Sequence, residues 1–141
     1  MILIQNQKIA LIERHRLSLQ YFVFPGGQKE KDESMQQTVI REAEEELGLF
    51  VSVDRLIAII IYQNIPQYYY LVTAISGQFG TGHGPEMIGA YPVESGTCHP
   101  VWLPVQSLRN YDVRPALLIP LVEQGILGNW PVPAITLKET S

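Results

Sequence analysis

Apolar and polar positions alternate in short blocks along most of this chain, and one stretch carries a clean helical period. Met1–Ile4 and Lys8–Ile12 are rich in Ile and Leu and read as two strands around the turn Gln5-Asn6-Gln7. The first begins at Met1 with no lead-in, so a short or frayed strand is expected. After the charged patch Glu13–Arg16, the apolar and aromatic run Leu17–Phe24 predicts a third strand, stopped at Pro25-Gly26-Gly27. Ser34–Leu47 has neither Gly nor Pro, and Met35, Val39, Ala43 and Leu47 recur every four residues, which predicts a helix with one face on a core. Ser34 is placed to cap it, with Glu30, Asp32 and Glu33 near the positive end of its dipole, and Gly48 to end it.

The second half continues in strand-like blocks. Val51–Tyr62 and Tyr68–Ser76 are β-branched and aromatic, separated by Gln63–Gln67 with its Pro66, and read as neighbouring strands. Gly77–Gly96 holds six glycines and two prolines and reads as one long functional loop. Val101–Leu103 predicts a last core strand. Asp112 is placed to cap a helix over Pro115–Gln124, kinked or split by Pro120 and ended by Gly125. Trp130–Lys138, with two prolines, fits a terminal edge strand or a packed tail. Strands, one strong helix, more strands and a late helix predict an α/β sandwich with a mixed sheet.

Composition narrows the function classes. The 141 residues fit one domain, 1–141, and 17% charged with 46% hydrophobic residues is a globular profile. A net charge of −4 without a Lys/Arg block argues against a long nucleic-acid partner, since phosphate binding needs clustered cations. A small anionic substrate stays compatible, because a bound metal can supply the positive charge. Cys98 is the single cysteine, so no intrachain disulfide forms and a reducing, cytoplasmic setting is expected. The longest apolar run, Leu56–Tyr62, is about a third of a membrane span, and no signal-peptide pattern opens the chain.

The helix carries the chemistry. At ~100° per residue, Glu42, Glu45 and Glu46 share about a third of its circumference, beside the apolar stripe. Like charges this close repel by roughly 1–4 kcal/mol per pair, whereas hard oxygens on a rigid scaffold suit Mg²⁺. A glutamate-rich helix face is by itself more often solvated surface. The surrounding residues shift that balance. Gly27, Glu33, Arg41, Glu42, Ala43, Glu45, Glu46, Gly48 and Leu49 fit G-x5-E-x7-R-E-U-x-E-E-x-G-U, where U is apolar, and a chance match is on the order of one in ten million. Over Gly27–Leu49 the chain therefore resembles the Nudix hydrolase family, MutT-like members included, with a complete Nudix box. Phe24-Pro25-Gly26 before it has the same look, and the order of elements resembles the family's α/β/α sandwich with a mixed sheet.

The resemblance implies hydrolysis of a nucleoside diphosphate linked to another group, by attack of water on phosphorus. Glu42, Glu45 and Glu46 match the metal-binding glutamates, with the Gly26 carbonyl a further ligand; the cofactor implied is Mg²⁺, with Mn²⁺ as substitute. Gly27, Glu33 and Arg41 match residues that support the site, the last two locking loop to helix. The base that takes water's proton is left open between Glu45, Glu46 and a later loop residue: Glu86, with Glu94 in reserve. The implied partner is a small nucleotide, with a homodimer as the family's common assembly.

Weaker features accompany the box. Arg14 and Arg16, flanking His15, are candidates for substrate phosphates, against the alternative of a solvated turn. Tyr21, Phe22, Tyr68, Tyr70 and Trp102 include candidates for a base-stacking platform, although strand aromatics are mostly core. Phe79–Gly84 lacks the Lys-Ser/Thr ending of a P-loop and reads as a flexible lid. Cys98-His99 has no partner at metal spacing and is set aside. The leading substrate is a nucleoside triphosphate, normal or oxidised, cleaved to monophosphate and pyrophosphate. ADP-ribose, a sugar nucleotide or a dinucleoside polyphosphate stand as alternatives, and a non-catalytic nucleotide sensor is opposed by the intact box.

Overall fold

A computed structural model describes residues 1–89 and 96–140. Eight strands are joined in chain order by the helix α1 (Met35–Leu47) and, later, α2 (Leu118–Gly125). The strands are β1 (Ile2–Gln5), β2 (Lys8–Arg16), β3 (Leu19–Val23), β4 (Leu49–Tyr62), β5 (Ile65–Gly77), β6 (Thr97–Pro104), β7 (Val113–Arg114) and β8 (Ile135–Glu139). They form one mixed sheet in the order β7-β3-β2-β1-β5-β4-β8, with β6 on the other edge of β2. Pairing is parallel at β1·β5, β3·β7 and β4·β8, and antiparallel elsewhere.

Alternation along the central strands sends side chains to two cores. Leu3, Ala10 and Ile12 pack with Val39, Ala43 and Leu47 under α1. Ile2, Ile9 and Leu11 pack with Leu108, Leu118 and Val122 on the opposite face, under α2 and a 3₁₀ turn over Val105–Asn110. A sheet covered on both faces explains why its strands read as near-continuous apolar runs. The predicted α/β/α sandwich with a mixed sheet is the observed architecture. Among the described residues, no helix is long and apolar enough to cross a membrane.

Several boundaries moved for identifiable reasons. β1 is short, yet its start is buried, because β5 and β2 flank it. The charged patch Glu13–Arg16 is strand, held by ladders to β3 and β6; the turn falls at Leu17, whose φ is 56°. β4 and β5 are longer than expected and meet at a two-residue turn, Gln63-Asn64, with φ of 51° and 65°. Pro66 lies within β5 opposite Ile61; β1 reaches β5 only at Leu71 and Val72, so the proline faces no second ladder. Asp112 does not cap the late helix: its carboxylate binds Arg114 at 2.9 Å, and α2 starts only at Leu118. Pro120 then falls in the first turn, where the missing N–H has no intrahelical partner to lose. Trp130–Lys138 does end in an edge strand, β8, parallel to β4.

Candidate active site

The local sequence fixes α1 at both ends. Ser34 Oγ accepts the Gln37 N–H at 3.0 Å while Gln37 Oε1 accepts the Ser34 N–H at 2.8 Å, a reciprocal cap. At the other end Gly48 turns left-handed, with φ of 76°. Two of the remaining carbonyls are met by the glycine loop: Gly80 N–H donates to Leu47 O at 3.0 Å and Gly84 N–H to Glu45 O at 2.9 Å. A Cβ on Gly82 would stand 2.5 Å from Glu45 O, which is why this approach takes glycine. Phe79 stacks on Trp102 at 4.7 Å. The expectation of a flexible lid over Phe79–Gly84 is thus corrected: helix carbonyls that need donors dock this segment onto the end of α1.

The loop before the helix is tied to it by Arg41. Its Nε donates to Glu33 Oε2 at 2.7 Å and Nη2 to Gln28 O at 3.0 Å. Nη1 reaches Glu42 Oε1 at 2.9 Å and Glu45 Oε2 at 3.0 Å. The Thr38 hydroxyl, buried, donates to Glu33 Oε1 at 3.0 Å, a support sequence reasoning missed although Thr38 lies one turn before Glu42. Glu46, also buried, accepts the Gly26 N–H at 2.7 Å. Gly27 presses on Glu42, whose Oε1 would lie 2.3 Å from a Cβ there. Gly26, Gly27, Glu33, Arg41, Glu42, Glu45 and Glu46 are therefore brought together around one helix face.

The electrostatics follow from this crowding. Burial first, and then the Glu42 charge, push the Glu46 carboxyl up to about 8. Burial likewise raises Glu42, against the pull of Arg41. The Arg41 hydrogen bonds hold Glu33 down at about 2. Two carboxylates, Glu46 buried and Glu42 mostly covered, are pushed towards protonation and mark a place short of positive charge, and the donors are hard oxygens, so the residues fit a divalent cation. Among the described residues, no three acidic, His or Cys side chains stand at metal-ligand spacing. Arg41 spans Glu42 and Glu45, and Glu46 turns to Gly26.

Other sequence candidates divide. Glu86 meets Arg14, Nη2 to Oε2 at 2.7 Å, beside the Cys98 thiol at 3.8 Å. Arg16 is exposed, and no ion pair joins it to the cluster among the described residues. Glu94 lies outside the described residues. Phe22 is core, edge-on to Tyr111, and Tyr21 lies under the Arg114 guanidinium at 4.1 Å. Tyr68 and Tyr70 line a cleft of about 890 Å³ that also includes Gly26, Gly27 and Glu42. Phe24, Met35, Tyr62 and Arg114 are also in its wall; sequence did not mark them as cleft residues, since they come from four separate elements or loops.

Comparison with known proteins places this arrangement. The NUDIX domain family matches residues 1–120. A MutT structure, from a study of MutT from Aliivibrio salmonicida and Vibrio cholerae, is 26% identical, covers 92% of this chain and 93% of its own, and superposes with a TM-score of 0.66. An ADP-ribose pyrophosphatase from Streptococcus suis is 21% identical, with 98% and 94% covered and a TM-score of 0.66. A NUDIX hydrolase from Nitrosomonas europaea is 19% identical, with 98% and 76% covered and a TM-score of 0.70. No curated protein matches this sequence.

Proposed function

This chain belongs to the NUDIX family and is a hydrolase of phosphoanhydride bonds, and from that premise we propose that it cleaves a nucleoside triphosphate, normal or oxidised, to the monophosphate and pyrophosphate. The observation that carries the reading is the aromatic cleft whose lining is continuous with Gly26, Gly27 and Glu42. A base held among Phe24, Tyr68 and Tyr70 leaves its phosphates beside the carboxylates. The two cores share one sheet, which supports reading residues 1–141 as one hydrolase domain. The single cysteine supports a reducing, cytoplasmic setting.

Glu42, Glu45 and Glu46 would hold the divalent cation, Mg²⁺ or in its place Mn²⁺, together with the Gly26 carbonyl. When bound, the cation supplies positive charge beside the non-bridging phosphate oxygens. Water attacks phosphorus in line, the α–β phosphoanhydride bond breaks to give monophosphate and pyrophosphate, and a carboxylate takes the water's proton. Glu45, Glu46 and Glu86 are the candidates for that base. Arg41 and Glu33 act by position: they hold the Gly26-Gly27 segment against the helix.

A second reading rests on the cleft's size. About 890 Å³ is at the upper end of small-molecule sites, ample for a nucleoside with a further group attached. ADP-ribose, a sugar nucleotide or a dinucleoside polyphosphate would use that room. The test is a chromatographic screen that separates and quantifies the nucleotide product and its co-product, run over normal and oxidised triphosphates and these larger compounds, with Mg²⁺ and then with chelator. Chelator-sensitive pyrophosphate release from a triphosphate supports the first reading, and turnover of only the larger compounds supports the second. Silence from folded protein across the panel refutes both.

A further inference from the structure

Arg14 belongs to no box position, yet the fold aims it at the box. Along β2, Ala10 and Ile12 are buried under α1, and Arg14 is next in that row. Tyr21 of β3 and Cys98 of β6 flank it in register, so its backbone is fixed from both sides. Its Nη2 donates to Glu86 Oε2 at 2.7 Å, a contact between residues 72 positions apart. Its Nε is buried and meets no acceptor among the described residues. A guanidinium with one arm on a carboxylate and a second donor buried and idle is an incomplete fork.

We propose that Arg14 is a positioning residue that holds the Glu86 loop against the α1 carboxylates and exchanges Glu86 for a substrate phosphate, which engages the idle Nε as well; this rests on the phosphohydrolase reading above. The loop has the anchorage such a latch needs. Gly84 is bonded to Glu45 O at 2.9 Å, and Met87 and Ile88 N–H turn back onto Gly84 O at 2.9 and 3.2 Å. Glu86 lies within this turn, close enough for its charge to be felt at Glu46. The pair is weak enough to exchange, since its side chains are 34% and 44% exposed. A phosphate offers several oxygens to the fork where Glu86 uses one, so the anion with more acceptors displaces it. Release leaves Glu86 beside the carboxylate cluster at the moment the substrate is in place.

The experiment is hydrogen exchange of the 84–89 amides in wild type, Arg14→Gln, Arg14→Lys and Glu86→Gln, with and without Mg²⁺-pyrophosphate. Without pyrophosphate, Arg14→Gln and Glu86→Gln each speed exchange of Met87 and Ile88 by about fivefold, while α1 and the sheet stay as protected as in wild type. Arg14→Lys gives a smaller change. Pyrophosphate speeds the wild-type loop by a similar factor and leaves both neutral variants where they are. Unchanged loop exchange in Arg14→Gln, or a wild-type loop indifferent to pyrophosphate, overturns the latch. Loop response without turnover in the nucleotide screen sinks the substrate reading alone; turnover without loop response sinks the latch alone.

Discussion

Gly27→Ala disturbs the geometry of the site without removing any of its charges. A Cβ at residue 27 would lie 2.3 Å from Glu42 Oε1, 2.6 Å from Cδ and 3.0 Å from Oε2. Ordinary carbon–oxygen contact needs about 3.4 Å, so the carboxylate must retreat by roughly 1 Å. It can do so, because the clash is with the end of a flexible side chain and the Gly27 backbone lies outside the left-handed region. The retreat strains the Arg41 hydrogen bond to that same Oε1, now 2.9 Å, while Glu33 and Gln28 hold the guanidinium in place. One weakened charge-assisted bond plus an off-rotamer side chain costs about 1–2 kcal/mol, a fall of about 3–8 °C in Tm. A 1 Å displacement of a positioned group costs on the order of 100-fold in turnover. Calorimetric titration with Mn²⁺, pyrophosphate release from a triphosphate and thermal unfolding measure the three effects. Gly125→Ala is the control: its Cβ would meet the Trp130 ring at 2.3 Å, so it lowers Tm but leaves cation binding unchanged. Gly27→Ala with wild-type cation affinity and turnover would refute the placement of Glu42 in the site.

Three further outcomes are expected. Glu45→Gln and Glu46→Gln each lower turnover by more than about 100-fold, with circular dichroism and Tm near wild type, because a ligand charge goes and no core contact does; near-normal rates in both contradict the mechanism. Tyr68→Ala raises KM about tenfold and changes kcat little, since it removes a face of the cleft and no charged group; an unchanged KM removes Tyr68 from the substrate wall. The third outcome concerns pH. Glu33 sits at about 2 in the fold, below its ordinary 4.5, so its stabilisation is present above 4.5 and is lost as pH falls towards 2. Urea midpoints of wild type and Glu33→Gln therefore differ at pH 7 and converge by about pH 2; a gap that persists unchanged in acid contradicts the Arg41 pairing as its cause.

Elements with a strong local signal were legible in the sequence. α1 followed from the four-residue stripe, the Ser34 cap and Gly48, because helix capping and amphipathicity act within a turn or two. Spacing put Glu42, Glu45 and Glu46 on one face, and the resemblance to the Nudix box named Gly26, Gly27, Glu33 and Arg41 with them. Other readings depended on partners distant in the chain. Glu13–Arg16 looks like a surface turn until β3 and β6 supply its ladders. Pro66 looks like a strand breaker until the short reach of β1 leaves its edge free. Asp112 looks like a helix cap until Arg114 claims its carboxylate. Phe79–Gly84 looks like a lid because its charge and composition are those of a loop, while the acceptors it meets belong to Glu45 and Leu47 more than thirty residues earlier. Tyr68 and Tyr70 could be named as aromatic candidates, but that they share a cleft with Phe24 and Arg114, and that Arg14 pairs with Glu86 72 positions away, lay beyond local reading. Sequence alone determined one helix, its caps and which carboxylates share its face, since spacing along a helix is geometry; the tertiary structure decided what that helix faces, since packing distant segments together is a property of the whole chain.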